Sequence, residues 1–161
     1  MALLARKEKE RLQRLDYNVL SGTTDIDISA AVYTALVDVL TIAPNAELQD
    51  LVIDLDFDKA TSGVNEVATA NDTLNCAVFI AVDGTNYVGI KSMPTVTMSG
   101  TAGTITAGVI GGYRFNLGYI PASASIKVRV SVSAERADAE IPYKIYYQSL
   151  KAPTVTAVAA G

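Results

Sequence analysis

The stretch SIKVRVSVS, residues 125–133, alternates apolar and polar residues without a break. Side chains two positions apart on an extended chain point the same way, so this stretch predicts a β-strand with one buried face. The buried face consists of the apolar residues of the stretch: Ile126, Val128, Val130 and Val132. The other face is polar, and we expect it to meet water or a partner.

The same alternation is found before and after this stretch in the chain. It recurs in three further segments, residues 51–58, 113–120 and 141–149. Residues 74–82 form an apolar run that is typical of a strand buried on both faces. The sequence Asp-Gly-Thr-Asn at residues 83–86 predicts a turn, which would join this run to residues 87–91 as a β-hairpin.

Several short strands with short connections, and no helical pattern between them, predict an all-β fold. Two antiparallel sheets packed face to face would bury each alternating strand, and the number of strands favours a jelly-roll-like β-sandwich. The nearest competitor is an immunoglobulin-type sandwich, whose usual cysteine pair and core tryptophan are missing here. We place a short N-terminal α-helical arm and linker at residues 1–22, the β-sandwich at residues 23–152 and a C-terminal tail at residues 153–161.

Composition excludes several kinds of chemistry. The 161 residues include no histidine, no tryptophan and one cysteine, Cys76. Without histidine the chain has no Ser-His-Asp or Cys-His nucleophile, and Cys76 alone builds neither a common zinc site nor an internal disulfide. The glycines do not form a phosphate-binding or dinucleotide-binding motif. We therefore predict a protein that is not an enzyme and that needs no cofactor.

The charge distribution argues against nucleic acid as a partner. The formal net charge is −4, and residues 1–16 hold five basic and three acidic residues, so the rest of the chain carries −6. Nucleic-acid surfaces need clustered lysine and arginine instead. No stretch approaches the ~20 apolar residues of a membrane span, and the first residues lack the apolar centre of a signal peptide. We expect no nucleic acid and no membrane among the partners.

The first residues are the main candidate for an interaction segment. Residues 2–15 contain good helix formers without glycine or proline, but an isolated helix of this length is marginal in water. The segment is either a solvated extension or an arm that becomes ordered against a partner subunit. The candidate interaction residues of the arm are its apolar and basic side chains: Leu3, Leu4, Arg6, Lys7, Arg11, Leu12, Arg14 and Leu15.

Two features of the strands also invite a functional interpretation. Asp54, Asp56 and Asp58 fall on one face of a strand. They form a solvated face, an acidic surface for a basic partner, or part of a cation site that one straight strand cannot complete. Tyr146 falls on the polar face of residues 141–149, where it either anchors an interface or packs at an edge.

Residues 25–150 as a whole resemble the small jelly-roll decoration or cement proteins of tailed bacteriophage capsids. The likeness rests on short strands rich in Thr, Ala and Val, on LGYIPA at residues 117–122 leading into SIKVRV at residues 125–130, and on the short charged arm. The resemblance implies a homotrimer that binds the major capsid protein on the outside of an assembled capsid and stabilises it. Such a protein would be made in the host cytoplasm, become part of the virion, and carry out no catalysis.

Two other functions stay open from the sequence. One is a carbohydrate- or ligand-binding β-sandwich module, which would be marked by clustered exposed aromatic side chains. The other is a structural component of a viral tail or fibre. The sequence alone does not decide between these functions, because each would reside on a surface rather than in a motif.

Overall fold

A computed structural model of the protein describes residues 16–25, 36–56, 61–62, 73–97, 112–132 and 139–158. The predicted helical arm, with its candidate residues 3–15, lies outside these ranges. The strands in the described ranges are β1 (Asn18–Asp25), β2 (Val37–Ala43), β3 (Asp50–Asp56), β4 (Thr61–Ser62), β5 (Thr73–Ala81), β6 (Val88–Ser92), β7 (Val96–Thr97), β8 (Gly112–Asn116), β9 (Ser125–Val132), β10 (Ala139–Gln148) and β11 (Thr154–Ala157). Among these residues there is no helix long and apolar enough to cross a membrane.

The strands form two antiparallel sheets. The first sheet has the order β1-β10-β3-β8, with β4 beside β10, and the second has the order β11-β2-β9-β5-β6, with β7 beside β5. Eight strands remain when β4, β7 and β11 are set aside. If these eight are counted in chain order, the first, eighth, third and sixth form one sheet, and the second, seventh, fourth and fifth form the other. This is the strand order of a jelly roll. The prediction of an all-β, jelly-roll-like sandwich is therefore confirmed, and the immunoglobulin-type alternative is wrong.

The hydrophobic core fills the space between the two sheets. On the inner face of the first sheet, four residues are partners across adjacent strands: Leu20, Ile145, Ile53 and Phe115. The second sheet has a corresponding row: Val155, Ile42, Ile126 and Ile80. All eight side chains belong to one cluster of buried residues and the residues packed on it. Ile126, Val128 and Val130 of the alternating stretch thus point inward, as predicted.

Cys76 lies in this core, opposite Val130 of β9. Burial raises the pKa of its thiol to about 12, because the apolar surroundings disfavour the charged thiolate. Cys76 is therefore a packing residue of low reactivity.

The hairpin between β5 and β6 is present with the predicted turn. The carboxylate of Asp83 accepts hydrogen bonds from the N–H groups of Asn86 and Thr85 at 2.8 and 2.9 Å, and these bonds lower the pKa of Asp83. Gly84 adopts a φ of +79°, which a side chain would make costly. The hairpin leads into β6 at the edge of the second sheet, where every residue is exposed.

The two sheets are linked by a buried threonine. Thr24 of β1, which is 1% exposed, donates its hydroxyl to the carbonyl of Val39 in β2 at 2.5 Å. The same hydroxyl accepts the N–H of Val158, just after β11, at 3.2 Å. The neighbouring N–H of Asp25 donates to the carbonyl of Val158 at 3.2 Å. Thr24 therefore connects a strand of the first sheet to two chain segments of the second.

Candidate binding face on the first sheet

The outer face of the first sheet carries a row of polar residues. Antiparallel pairing places Ser21 of β1 opposite Lys144 of β10, Lys144 opposite Asp54 of β3, and Asp54 opposite Arg114 of β8. Partners across adjacent strands have their Cβ atoms about 5 Å apart. The row is therefore a line of hydrogen-bonding groups in which two cations flank one carboxylate.

Arg114 and Asp54 form the centre of this row. The guanidinium donates from Nε and Nη2 to the two carboxylate oxygens, with both distances at 2.7 Å. This two-point geometry fixes the plane of the guanidinium, and the bonds from Asp54 raise the pKa of Arg114 further above its ordinary value. The side chain of Arg114 is 58% exposed. Its unshared N–H groups thus stay accessible for a further partner.

Tyr146 borders the polar row. It lies on β10 two residues beyond Lys144 and opposite Val52 and Val19 on the adjacent strands. The guanidinium carbon of Arg114 lies 5.7 Å from the centre of the Tyr146 ring. An aromatic ring with apolar neighbours is thereby placed directly beside charged hydrogen-bonding groups. The structure locates Tyr146 on the outer face, half-buried, where the alternation of residues 141–149 predicts it.

A depression of about 740 Å³ lies over this part of the sheet. The residues that line it come from all four main strands of the sheet: Ser21, Gly22, Thr23, Asp54, Leu55, Asp56, Gly112, Tyr113, Arg114, Pro142, Tyr143, Lys144 and Tyr146. On the inner side of the same strands, Gly22 leaves room for the ring of Tyr143, because a Cβ at this position would lie 2.6 Å from the Tyr143 hydroxyl. The volume is within the range of small-molecule sites in proteins, about 300–1,000 Å³.

The acidic row predicted on β3 differs from a purely solvated face. Asp54 is bound to Arg114, and Asp56 lies opposite Gly112 at the side of the depression. Asp58 lies outside the described residues. Among the described residues no group of three or more Cys, Asp or Glu side chains is arranged to hold a metal ion. The sequence places Asp54 on a polar strand face but gives no signal that it pairs with Arg114, because sixty residues separate the two.

A second charged cluster lies on the outer face of the second sheet. Asp38 accepts hydrogen bonds from Lys127 at 2.5 Å and from Arg129 at 2.6 Å. The guanidinium of Arg129 lies 4.5 Å from the ring centre of Phe79, and Lys127 Nζ lies 4.7 Å from that of Tyr87. This cluster contains the same combination of groups as the first sheet, namely an arginine, an aspartate and an aromatic ring. It therefore offers a matched control for experiments on Arg114.

Asp38→Asn is expected to reduce stability by about 1 kcal/mol at neutral pH, because two neighbouring cations lose their shared counterion on a partly exposed surface. Burial raises the pKa of Asp38, but the hydrogen bonds and charges of Lys127 and Arg129 outweigh it, so the net pKa lies below its ordinary value. A depressed pKa stabilises the fold above the unfolded-state pKa, and this contribution is lost as the pH falls below about 4. Urea denaturation of the variant and the parent protein at pH 7 and pH 3 measures this contribution to the free energy of unfolding. An equal difference in unfolding free energy at both pH values would contradict a stabilising role of the ionised Asp38.

Several apolar side chains are exposed outside the charged row. Val88 of the edge strand β6 is 64% exposed, and Leu150 after β10 is 74% exposed. Tyr17 and Tyr119 are also exposed, and their hydroxyls donate to the carboxylates of Asp50 and Glu47. The protein surface thus has apolar positions beyond the candidate binding face at which further contacts could form.

Comparison with known proteins finds similarity among solved structures. No protein-family model matches the chain, and no curated protein matches it. Among solved structures, the chain is similar to the VP2 subviral particle of infectious bursal disease virus, with 14% identity and a TM-score of 0.41 over 91% of this chain. It is also similar to infectious bursal disease virus of the Gt strain, with 13% identity and a TM-score of 0.23 over 92% of this chain. The chain spans 39% and 37% of the length of these two proteins.

Proposed function

We propose that this protein is a structural component of a virion, which binds the outer surface of an assembled capsid and stabilises it. The observation that carries the proposal is the jelly-roll order of the two sheets, β1-β10-β3-β8 and β2-β9-β5-β6. Viral capsid domains are one of the main uses of this architecture, and lectin domains are another. The resemblance of residues 25–150 to capsid decoration proteins favours the first use.

The physical requirements of such a role suit a rigid sandwich. A protein that binds the assembled capsid better than free subunits stabilises the assembly by mass action. A homotrimer would make three linked contacts, so weak individual contacts add up to firm binding. The paired strands of the described sandwich pack on one core, so binding through them would cost little conformational entropy. The basic and apolar residues of the arm, from Leu3 to Leu15, would supply contacts to the major capsid protein.

The test begins with the mass in solution. Light scattering is carried out on the full chain and on a variant lacking residues 1–16, and we expect three times 17.0 kDa for the full chain. Both proteins are then mixed with capsids of the virus that encodes the chain and sedimented. We expect the full chain to sediment with the capsids and to raise their melting temperature, and the truncated variant to bind more weakly.

A monomeric full chain that does not sediment with capsids would contradict the proposal. Trimers of both proteins would assign the trimer contact to the sandwich and the arm to the capsid contact. A trimer of the full chain alone would place the arm in the trimer contact.

A further inference from the structure

We infer that the depression on the outer face of the first sheet is a binding site for a neutral saccharide. The inference does not depend on the proposed capsid role, because it rests on the residues of this face alone. The site consists of Ser21, Asp54, Arg114, Lys144 and Tyr146, which line one depression of about 740 Å³.

The polar row offers the alternating donors and acceptors that a polyhydroxylated ligand needs. A sugar hydroxyl both donates and accepts, so adjacent hydroxyls are best bound where donors and acceptors lie side by side. Here Lys144 and Arg114 are donors on either side of the acceptor Asp54, and Ser21 supplies a group that does both. Arg114 occupies one position on each oxygen of Asp54, and a carboxylate has about four such positions. Asp54 can therefore hold Arg114 and still accept a hydrogen bond from a ligand.

The apolar part of the site is the ring of Tyr146. The C–H groups on one side of a sugar ring are attracted to the negative face of an aromatic ring, and the ring excludes water from the neighbouring hydrogen bonds. Tyr146 lies on the same face as the polar row, two residues beyond Lys144 on β10. The guanidinium of Arg114 lies over the Tyr146 ring, at 5.7 Å from its centre. A sugar ring that rests on Tyr146 beside this guanidinium would direct its hydroxyls towards Lys144, Asp54 and Arg114.

The balance of charge selects the class of saccharide. The depression contains two carboxylates, Asp54 and Asp56, and two cations, Arg114 and Lys144. Arg114 is already neutralised by Asp54 in a two-point bond. Among the described residues that line the depression there is therefore no excess of either charge to favour a sialic acid, a uronic acid or a sulfated sugar. Preorganised hydrogen-bonding groups whose charges balance favour neutral sugars instead.

The experiment uses the full chain on an array that carries neutral, acidic and sulfated glycans, followed by calorimetric titration with the best binder. We expect binding to neutral glycans. Tyr146→Leu, which removes the ring, and Lys144→Gln, which removes an exposed cation, are each expected to weaken binding at least about fivefold. Arg129→Gln is the matched control, because Arg129 also pairs with an aspartate and lies over an aromatic ring, but on the opposite sheet. It should leave the affinity unchanged.

The thermal melting of each variant establishes that it is folded before its affinity is compared. If Tyr146→Leu fails to fold, Lys144→Gln still tests the site, because Lys144 is exposed on the surface. Binding to no glycan on the array overturns the inference. A preference for acidic or sulfated glycans overturns the assignment of a neutral ligand, and equal losses in Lys144→Gln and Arg129→Gln overturn the location.

Discussion

Phe115→Ala is expected to lower the free energy of unfolding by about 3–5 kcal/mol. Phe115 is 2% exposed and is the largest of the fully buried side chains in the described part of the chain. It ends the row of partners formed by Leu20, Ile145 and Ile53, and its ring centre lies 4.9 Å from that of Tyr113. Truncation removes apolar contacts and leaves a cavity that rigid neighbouring strands fill only in part.

This loss is a large fraction of the total stability of a domain, which is about 5–15 kcal/mol. The melting temperature should fall by roughly 10 °C in calorimetry at one fixed protein concentration. Phe115→Leu should cost less than about 1.5 kcal/mol, since it keeps most of the apolar volume. Val88→Ala is the exposed control and should change little. A loss below 1 kcal/mol in Phe115→Ala would mean that this side chain is not a central part of the core.

Thr24→Val is expected to lower the free energy of unfolding by about 1–3 kcal/mol, although the two side chains have nearly the same shape. The substitution keeps the apolar packing and removes the hydroxyl that bonds to the Val39 carbonyl and the Val158 N–H. Each main-chain group then loses one partner, and the two keep only the longer bond between them, from the Val158 N–H to the buried Val39 carbonyl at 3.3 Å. Because the hydroxyl joins the two sheets, hydrogen exchange of the Val158 amide should also accelerate.

Thr23→Val is the matched control for this prediction. Thr23 is the preceding residue of β1, but its side chain is exposed on the outer face. The same chemical change there should alter stability by no more than about 0.5 kcal/mol. Equal effects at the two positions would show that the buried hydroxyl of Thr24 contributes nothing specific to the connection between the sheets.

The strands that could be predicted from the sequence are those whose environment differs between their two faces. β9 and β10 have a buried and an outer face, so their alternation indicated both the strands and the direction of Ile126 and Tyr146. β1 begins at Asn18, before the boundary that we placed at residue 23. Its Ser, Gly and Thr residues give only a weak alternation of apolar and polar side chains, because an edge strand is held mainly by main-chain hydrogen bonds to one neighbour.

The binding face was only partly predictable for a related reason. Alternation shows which side of a strand a residue occupies, but the residue opposite it depends on the register between strands. Asp54 meets Arg114 and Lys144 because β3 lies between β8 and β10, an order that arises from the whole jelly roll. The contact between Gly22 and Tyr143 on the inner face likewise depends on the register of β1 with β10, and neither residue indicates the other in the sequence.

Because Cys76 is buried, its rate of alkylation reports how often the sandwich opens locally around β5. It is the sole thiol of the chain, and in the folded state it is both covered and protonated. Alkylation by iodoacetamide therefore requires β5 to separate from its neighbours first, and the labelling rate measures how often that happens. A capsid partner or a sugar that stabilises the sandwich would slow the labelling without any engineered probe. One thiol thus allows the two binding proposals to be compared on the same scale of local opening.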